Sequence, residues 1–199
     1  MFLQVSAILL AAGSSRRMGR IKQLLPLGNK PVISHCLDTL IASEINDIVV
    51  VLGQHRAEIL RSLGALPHQV KIAYNDIPGS EMAESVRIGL GILKASSSGV
   101  LVCLSDHPMV SRETFKTLIG VHGKDPDKII IPLYRGARGH PTLFPARVIR
   151  EVLTGHTLRE ITSSHPEKVR YQEVEDEGVI LDLDTVEDYR KLSEKMVID

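Results

Sequence analysis

Along this chain, short runs dense in β-branched and aliphatic residues alternate with longer stretches whose apolar positions recur every three or four residues. The short runs at 5–10, 47–52, 70–74, 100–104 and 128–132 predict strands. The longer stretches at 31–42, 56–63, 82–94, 112–121 and 185–196 predict helices. In the first of these, Pro31 suits the opening helical turn, and Val32, Ile33, Cys36, Leu37, Leu40 and Ile41 fall on one face. Such alternation is the mark of a mostly parallel sheet covered by helices on both sides. The expected fold class is therefore a three-layer αβα, Rossmann-like arrangement. Beyond Pro132 the rhythm changes to a glycine-rich turn at Arg135–Pro141 and further short runs at 169–174 and 179–183. These predict a small C-terminal antiparallel portion completing the same sheet, so that 1–199 reads as a single domain with a first part, 1–132, and a second, 133–199.

The composition narrows the function. The 199 residues carry 24 Lys plus Arg against 24 Asp plus Glu, and 43% are hydrophobic. A balanced charge lacks the basic excess of a nucleic-acid or membrane-surface binder. Apolar runs fall well short of the ~20 residues that span a bilayer. The two cysteines, Cys36 and Cys103, lie in apolar stretches with no metal-ligand spacing, the pattern of a reduced, cytoplasmic protein. The apolar N-terminus lacks a basic leader and runs straight into a glycine-containing loop, so it reads as a strand and not as a signal peptide.

That loop is the first candidate for chemistry. Leu10-Ala11-Ala12-Gly13-Ser14-Ser15-Arg16-Arg17-Met18-Gly19, with Lys22 beyond, closes a buried strand with small residues that let a ligand approach the backbone. Successive N–H groups in such a loop cradle phosphate oxygens, and Arg17 and Lys22 supply positive charge. An ordinary βα turn with surface basics reads the same way. Neither G-x-G-x-x-G nor G-x-x-x-x-G-K-[ST] is present.

Asp106 follows the apolar run Val100-Leu101-Val102-Cys103-Leu104 and so sits at the carboxyl end of a strand, where open α/β sheets bind ligands. A carboxylate facing phosphates calls for a cation between them, and magnesium with oxygen ligands meets that need; capping of the turn at Pro108 is the plainer alternative. Asp182 and Asp184 alternate with Leu181 and Leu183, so a strand there would present both carboxylates on one face. Thr185 with Asp188 has the spacing of a capping box. His107 and His140 lack zinc-site spacing, and His107 reads as a surface histidine. Cys36 and Cys103 read as small buried hydrophobes.

The segments L-A-A-G-x-S-x-R-M-G-x-x-K with Gln23-Leu24-Leu25-Pro26-Leu27, Asn75 with Met82, Ser85 and Gly89, Asp106-His107-Pro108, Arg138-Gly139-His140-Pro141, and Asp182-Leu183-Asp184-Thr185 occur in that order. Together they resemble the molybdenum cofactor cytidylyltransferase family within the MobA-like nucleotidyltransferases. The resemblance implies that a nucleoside monophosphate is moved from a triphosphate, with CTP favoured, to the terminal phosphate of molybdopterin or a related phosphorylated acceptor. It implies Arg17, Lys22, Asp106 and Asp184 as catalytic groups and Mg2+ on Asp106 and Asp184. Leu10 to Ser15 and Asn75, Ser80 and Ser85 would contact the nucleotide, and Arg138, Gly139, His140 and Pro141 the acceptor. Ala12 stands where the guanylyl branch has a further glycine. Glu81 replaces a family glycine, and His156 a family carboxylate. GTP as donor, a sugar or other small phosphate as acceptor, and a non-catalytic carrier delivering the cofactor to a molybdenum hydroxylase are the competing readings.

Overall fold

The computed structural model describes residues 4–13 and 18–196. In chain order its elements are β1 (Val5–Ala11), β2 (Pro26–Leu27), β3 (Lys30–Pro31), α1 (Val32–Ala42), β4 (Ile48–Leu52), α2 (Arg56–Leu63), β5 (Val70–Tyr74), α3 (Met82–Ile92), β6 (Gly99–Leu104), α4 (Arg112–Lys124), β7 (Ile129–Tyr134), β8 (Ala137–Arg138), β9 (Thr142–Pro145), α5 (Ala146–Ile149), α6 (Leu158–Ser164), β10 (Val169–Glu173) and α7 (Val186–Lys195).

An eight-stranded sheet runs in the order β10-β7-β9-β6-β1-β4-β5, with β8 hydrogen-bonded to β7. β1 lies parallel to both β4 and β6, and β4 parallel to β5. β9 is antiparallel to β6 and β7, while β10 returns parallel to β7. The fold is thus the expected three-layer α/β arrangement with a mostly parallel sheet.

Alternation along the central strand explains the two cores. Every residue of β1 is buried. Val5, Ala7, Leu9 and Ala11 face α1, α2 and α4, and meet Leu37, Leu40, Ile59 and Phe115. Ile8 and Leu10 face the opposite layer and meet Ala83 and Val86 of α3; Ile149 of α5 and Ile161 of α6 belong to the same layer. A period of two buried on both faces requires helices on both sides, and the chain supplies them. A third cluster joins Leu27 of β2 and Val32 at the start of α1 to Leu183 and Leu192, seating α7 against the hairpin. Thr185 and Asp188 form the expected reciprocal capping box at the start of α7.

One expected strand is absent. Residues Glu177–Ile180 form a 3-10 turn, and 181–185 run on without a ladder. The backbone groups of this segment are spent on separate loops: Asp176 Oδ1 accepts from Gly178 N at 2.9 Å, Val179 O accepts from His140 N at 2.8 Å, and Leu183 N donates to Asp106 O at 2.9 Å. No single neighbour is left to pair with. β9 and β8 provide the antiparallel portion instead. The burial alternation survives, with Leu183 fully buried and Asp182 exposed.

Candidate functional site

The site lies beyond the carboxyl ends of β1, β5 and β6. Leu10 and Ala11 close β1 inside the sheet, and Ala12 and Gly13 emerge from it. Ser14, Ser15 and Arg17 lie outside the described residues. Ala12 and Gly13 form a wall shared by two clefts: one reaches Lys22, Gln23, Ser85 and Asp106, the other Gly53, Arg56, Asn75 and Asp76. Gly53 is required here, since a Cβ on it would stand 2.7 Å from Ala12 O. The glycine after β4 therefore lets the loop after β1 lie against it.

Three residues far apart in sequence meet at the first cleft. Lys22 Nζ donates to Asp106 Oδ2 at 2.6 Å and to Asp184 Oδ1 at 3.1 Å. Lys22 opens a 3-10 turn, Asp106 follows β6, and Asp184 precedes α7. The Leu183 N to Asp106 O bond ties the two acidic segments together. Burial draws the Lys22 pKa down, but the carboxylates of Asp106 and Asp184 outweigh it and the net shift is upward, so the ammonium is held charged. Asp106 Oδ1 is buried and has no hydrogen-bond partner among the described residues.

Asn75 organises the other wall. Its Nδ2 donates to Ser80 Oγ and to Ser85 Oγ, each at 2.8 Å, while its Oδ1 accepts from Ile77 N at 3.1 Å. Its own N–H continues from β5 to Leu52 O. With Asn75 and Ser85 both 5% exposed, the amide is a fixed clip for the 75–85 loop, and both serine hydroxyls keep a proton to donate. Glu81 N-caps α3 by its backbone alone and lines the first cleft.

On the far side of Asp106, His107 is 9% exposed, contrary to the surface position its sequence neighbours predict. The 105–110 segment turns inward beneath the 176–180 segment, and the His107 ring packs 5.1 Å from that of His140. Desolvation holds His107 below its usual pKa, and it holds His140 at about 4, with His107 adding to the effect. Both are neutral near pH 7. Gly139 fits directly under Val179, where a Cβ would approach to 2.6 Å. Arg138 is exposed, 4.7 Å over the Tyr171 ring. His140, Arg138 and Gly139 line a third cleft with Met82, Leu104, Phe144, Leu158 and Arg159. The α6 contribution is not readable as a helix beforehand, because only seven residues form it. Burial, then the nearby negative charge of Asp106, pushes the Cys36 thiol pKa upward, and burial does the same for Cys103; both are inert packing groups.

Residues 7–169 match the MobA-like NTP transferase domain. The chain belongs to this family. Purine catabolism protein PucB of Bacillus subtilis (strain 168) is 28% identical over 193 residues, covering 92% of each chain. Bifunctional protein GlmU of Leifsonia xyli subsp. xyli is 35% identical over 122 residues, 59% of this chain, and the match spans 25% of that longer protein. Two crystal structures of Rv0371c from Mycobacterium tuberculosis H37Rv, one of them a complex with manganese, align with TM-scores of 0.82 and 0.78 at 28% and 27% identity, over 98% of this chain and 99% and 100% of theirs. This is a family of nucleotidyltransferases, enzymes that typically work with a divalent metal. Among the described residues no helix is long and apolar enough to cross a membrane.

Proposed function

We propose that this protein moves a nucleoside monophosphate, CMP from CTP by preference, onto the terminal phosphate of molybdopterin or a related phosphorylated acceptor. An acceptor phosphate oxygen attacks the α-phosphorus, the bond from that phosphorus to the α–β bridging oxygen breaks, and pyrophosphate leaves. The observation that carries this reading is the convergence of Lys22, Asp106 and Asp184 beside the loop after β1.

Asp106 and Asp184 are the residues that would hold a divalent cation, magnesium in this reading. The fit rests on their chemistry: two carboxylates face one point, Asp106 Oδ1 is buried with no hydrogen-bond partner among the described residues, and hard cations take oxygen ligands. Among the described residues no third His, Cys, Asp or Glu joins them; triphosphate oxygens would add further oxygen ligands. When bound, the cation supplies charge neutralisation for the triphosphate. Lys22 and Arg17 hold phosphate oxygens, and backbone N–H groups of the loop after β1 add fixed dipoles. Asn75 presents Ser80 and Ser85 to the nucleoside. Residues 133–199 complete the acceptor side, with Arg138, Gly139 and His140 along the third cleft and Pro141 buried behind them. No covalent enzyme intermediate enters; positioning and charge stabilisation do the catalysis. A molybdenum hydroxylase is the consumer of the product in this scheme.

The test is pyrophosphate release from CTP, GTP, ATP and UTP against molybdopterin and a panel of sugar phosphates. Lys22→Ala and Asp106→Ala lower it ~100–1000-fold while the far-UV spectrum stays that of the folded protein. Near-normal turnover in either variant overturns the site. Turnover with sugar phosphates alone overturns the acceptor, and preference for GTP overturns the donor.

A further inference from the structure

Lys22 stands where its role in the transfer does not require it to stand. It spans both carboxylates, at 2.6 and 3.1 Å, with side-chain exposures of 13% for Lys22, 19% for Asp106 and 38% for Asp184. The backbone around it is pinned: Leu24 N bonds to Ile21 O at 3.0 Å, and Val32 N bonds to Leu25 O at 3.0 Å. Gln23 beside it is buried. The side chain is not pinned in the same way, since a lysine is a point charge on four flexible carbons that re-aims without moving its Cα.

We propose that Lys22 is a counter-ion lock, which keeps a bare divalent cation off Asp106 and Asp184 and admits cation and triphosphate only together. This rests on the nucleotidyl-transfer reading of the site. A dication arriving alone meets an ammonium already bonded to both of its ligands, and displacing that ammonium breaks two ion pairs, at 2.6 and 3.1 Å. A triphosphate arriving alone meets two carboxylates of its own sign. When both arrive, the cation takes the carboxylates and Lys22 turns to the phosphates, so every charge finds an opposite. Because the coupling is a property of the two binding equilibria, each ligand improves the affinity of the other by the same factor.

Manganese is the probe, followed by the electron paramagnetic resonance signal of the free aqua ion, with no nucleotide present. Lys22→Met, close in length and uncharged, is expected to bind Mn2+ at least tenfold more tightly than the wild type. Lys22→Gln serves as a second variant should the first fail to fold, as judged by its thermal melt. Asp106→Asn added to either variant abolishes the gain. In calorimetry, inorganic tripolyphosphate, which brings the charge without a base, binds the wild type at least tenfold more tightly with Mn2+ than with EDTA. Equal Mn2+ affinity in the wild type and the Lys22 variants, still lost with Asp106→Asn, overturns the lock and leaves the site reading standing. Mn2+ binding indifferent to Asp106→Asn overturns the site reading and the lock with it.

Discussion

Adding one methyl group to Gly178 tests whether the 176–180 segment positions the acidic centre. A Cβ there would stand 2.1 Å from the carbonyl oxygen of Met109, 2.4 Å from its carbonyl carbon and 2.8 Å from Val110 N. Ordinary contacts lie near ~3.5–4 Å, so one segment must yield by more than about 1 Å. Neither is free to do so, because Asp176 clamps both. Its Oδ1 accepts from Gly178 N at 2.9 Å, and its Oδ2 accepts from Ser111 N at 2.8 Å and from Thr114 Oγ1 at 2.6 Å. Overpacking costs about 1–3 kcal/mol, and a clash between two pinned backbones belongs at the upper end. For a chain of this size each kcal/mol moves the melting temperature by ~2–4 °C, so Gly178→Ala is expected to melt roughly 6–12 °C lower. Calorimetry measures this directly. Gly120→Ala in α4 is the contrast: a Cβ there meets nothing within 4 Å, and alanine in a helix interior adds ~0.5–1 kcal/mol. Because Met109 follows Asp106 by three residues, the Gly178 variant is also expected to bind the proposed metal–triphosphate pair more weakly. A Gly178→Ala variant melting within about 2 °C of the wild type would refute the packing argument.

Asn75→Ala removes three hydrogen bonds and leaves Ser85 buried without its donor. An expected cost of ~1–3 kcal/mol shows as a lower melting temperature, together with a raised KM for the triphosphate; an unchanged KM would detach Asn75 from the nucleotide side. pH dependence follows from His140, whose pKa falls from 6.5 to about 4 on burial. The unfolded chain takes up a proton near 6.5 that the folded chain refuses until about 4. Its contribution is therefore complete above 6.5 and is lost as pH falls toward 4, with His107 and His122 acting in the same direction. Melting temperatures measured across pH 7 to 5 should fall less steeply in His140→Gln than in the wild type, and parallel slopes would count against the assignment.

The strands and helices that carry the sheet are legible in the sequence because each is a local pattern: β5 and α2 lie at the predicted limits of 70–74 and 56–63. The hairpin β2–β3, the strand β9 and the helices α5 and α6 are not, since these strands have four residues or fewer and these helices seven or fewer, too short to show a period, and they take their shape from neighbours. Residues 179–183 carry a genuine alternation of leucine and aspartate, but alternation reports which side is buried and says nothing about whether a partner strand is at hand. At the site, Asp106 and Lys22 could be singled out by their places after a strand and a loop. That Lys22 bonds to both carboxylates could not, nor could the packing of His107 on His140, because spacing in the chain holds no record of those contacts.

The acidic centre draws on the two ends of the chain: Lys22 and Asp184 are 162 residues apart. Closing so long a loop costs entropy that no local contact offsets. A chain emerging from the ribosome can complete β1, β4, β5 and β6 and still lack the centre, until the hairpin receives α7 and Leu183 finds the carbonyl of Asp106. The acidic centre is thus the last part of the fold to be completed, and a partial chain carries Lys22 and Asp106 without the Asp184 that joins them.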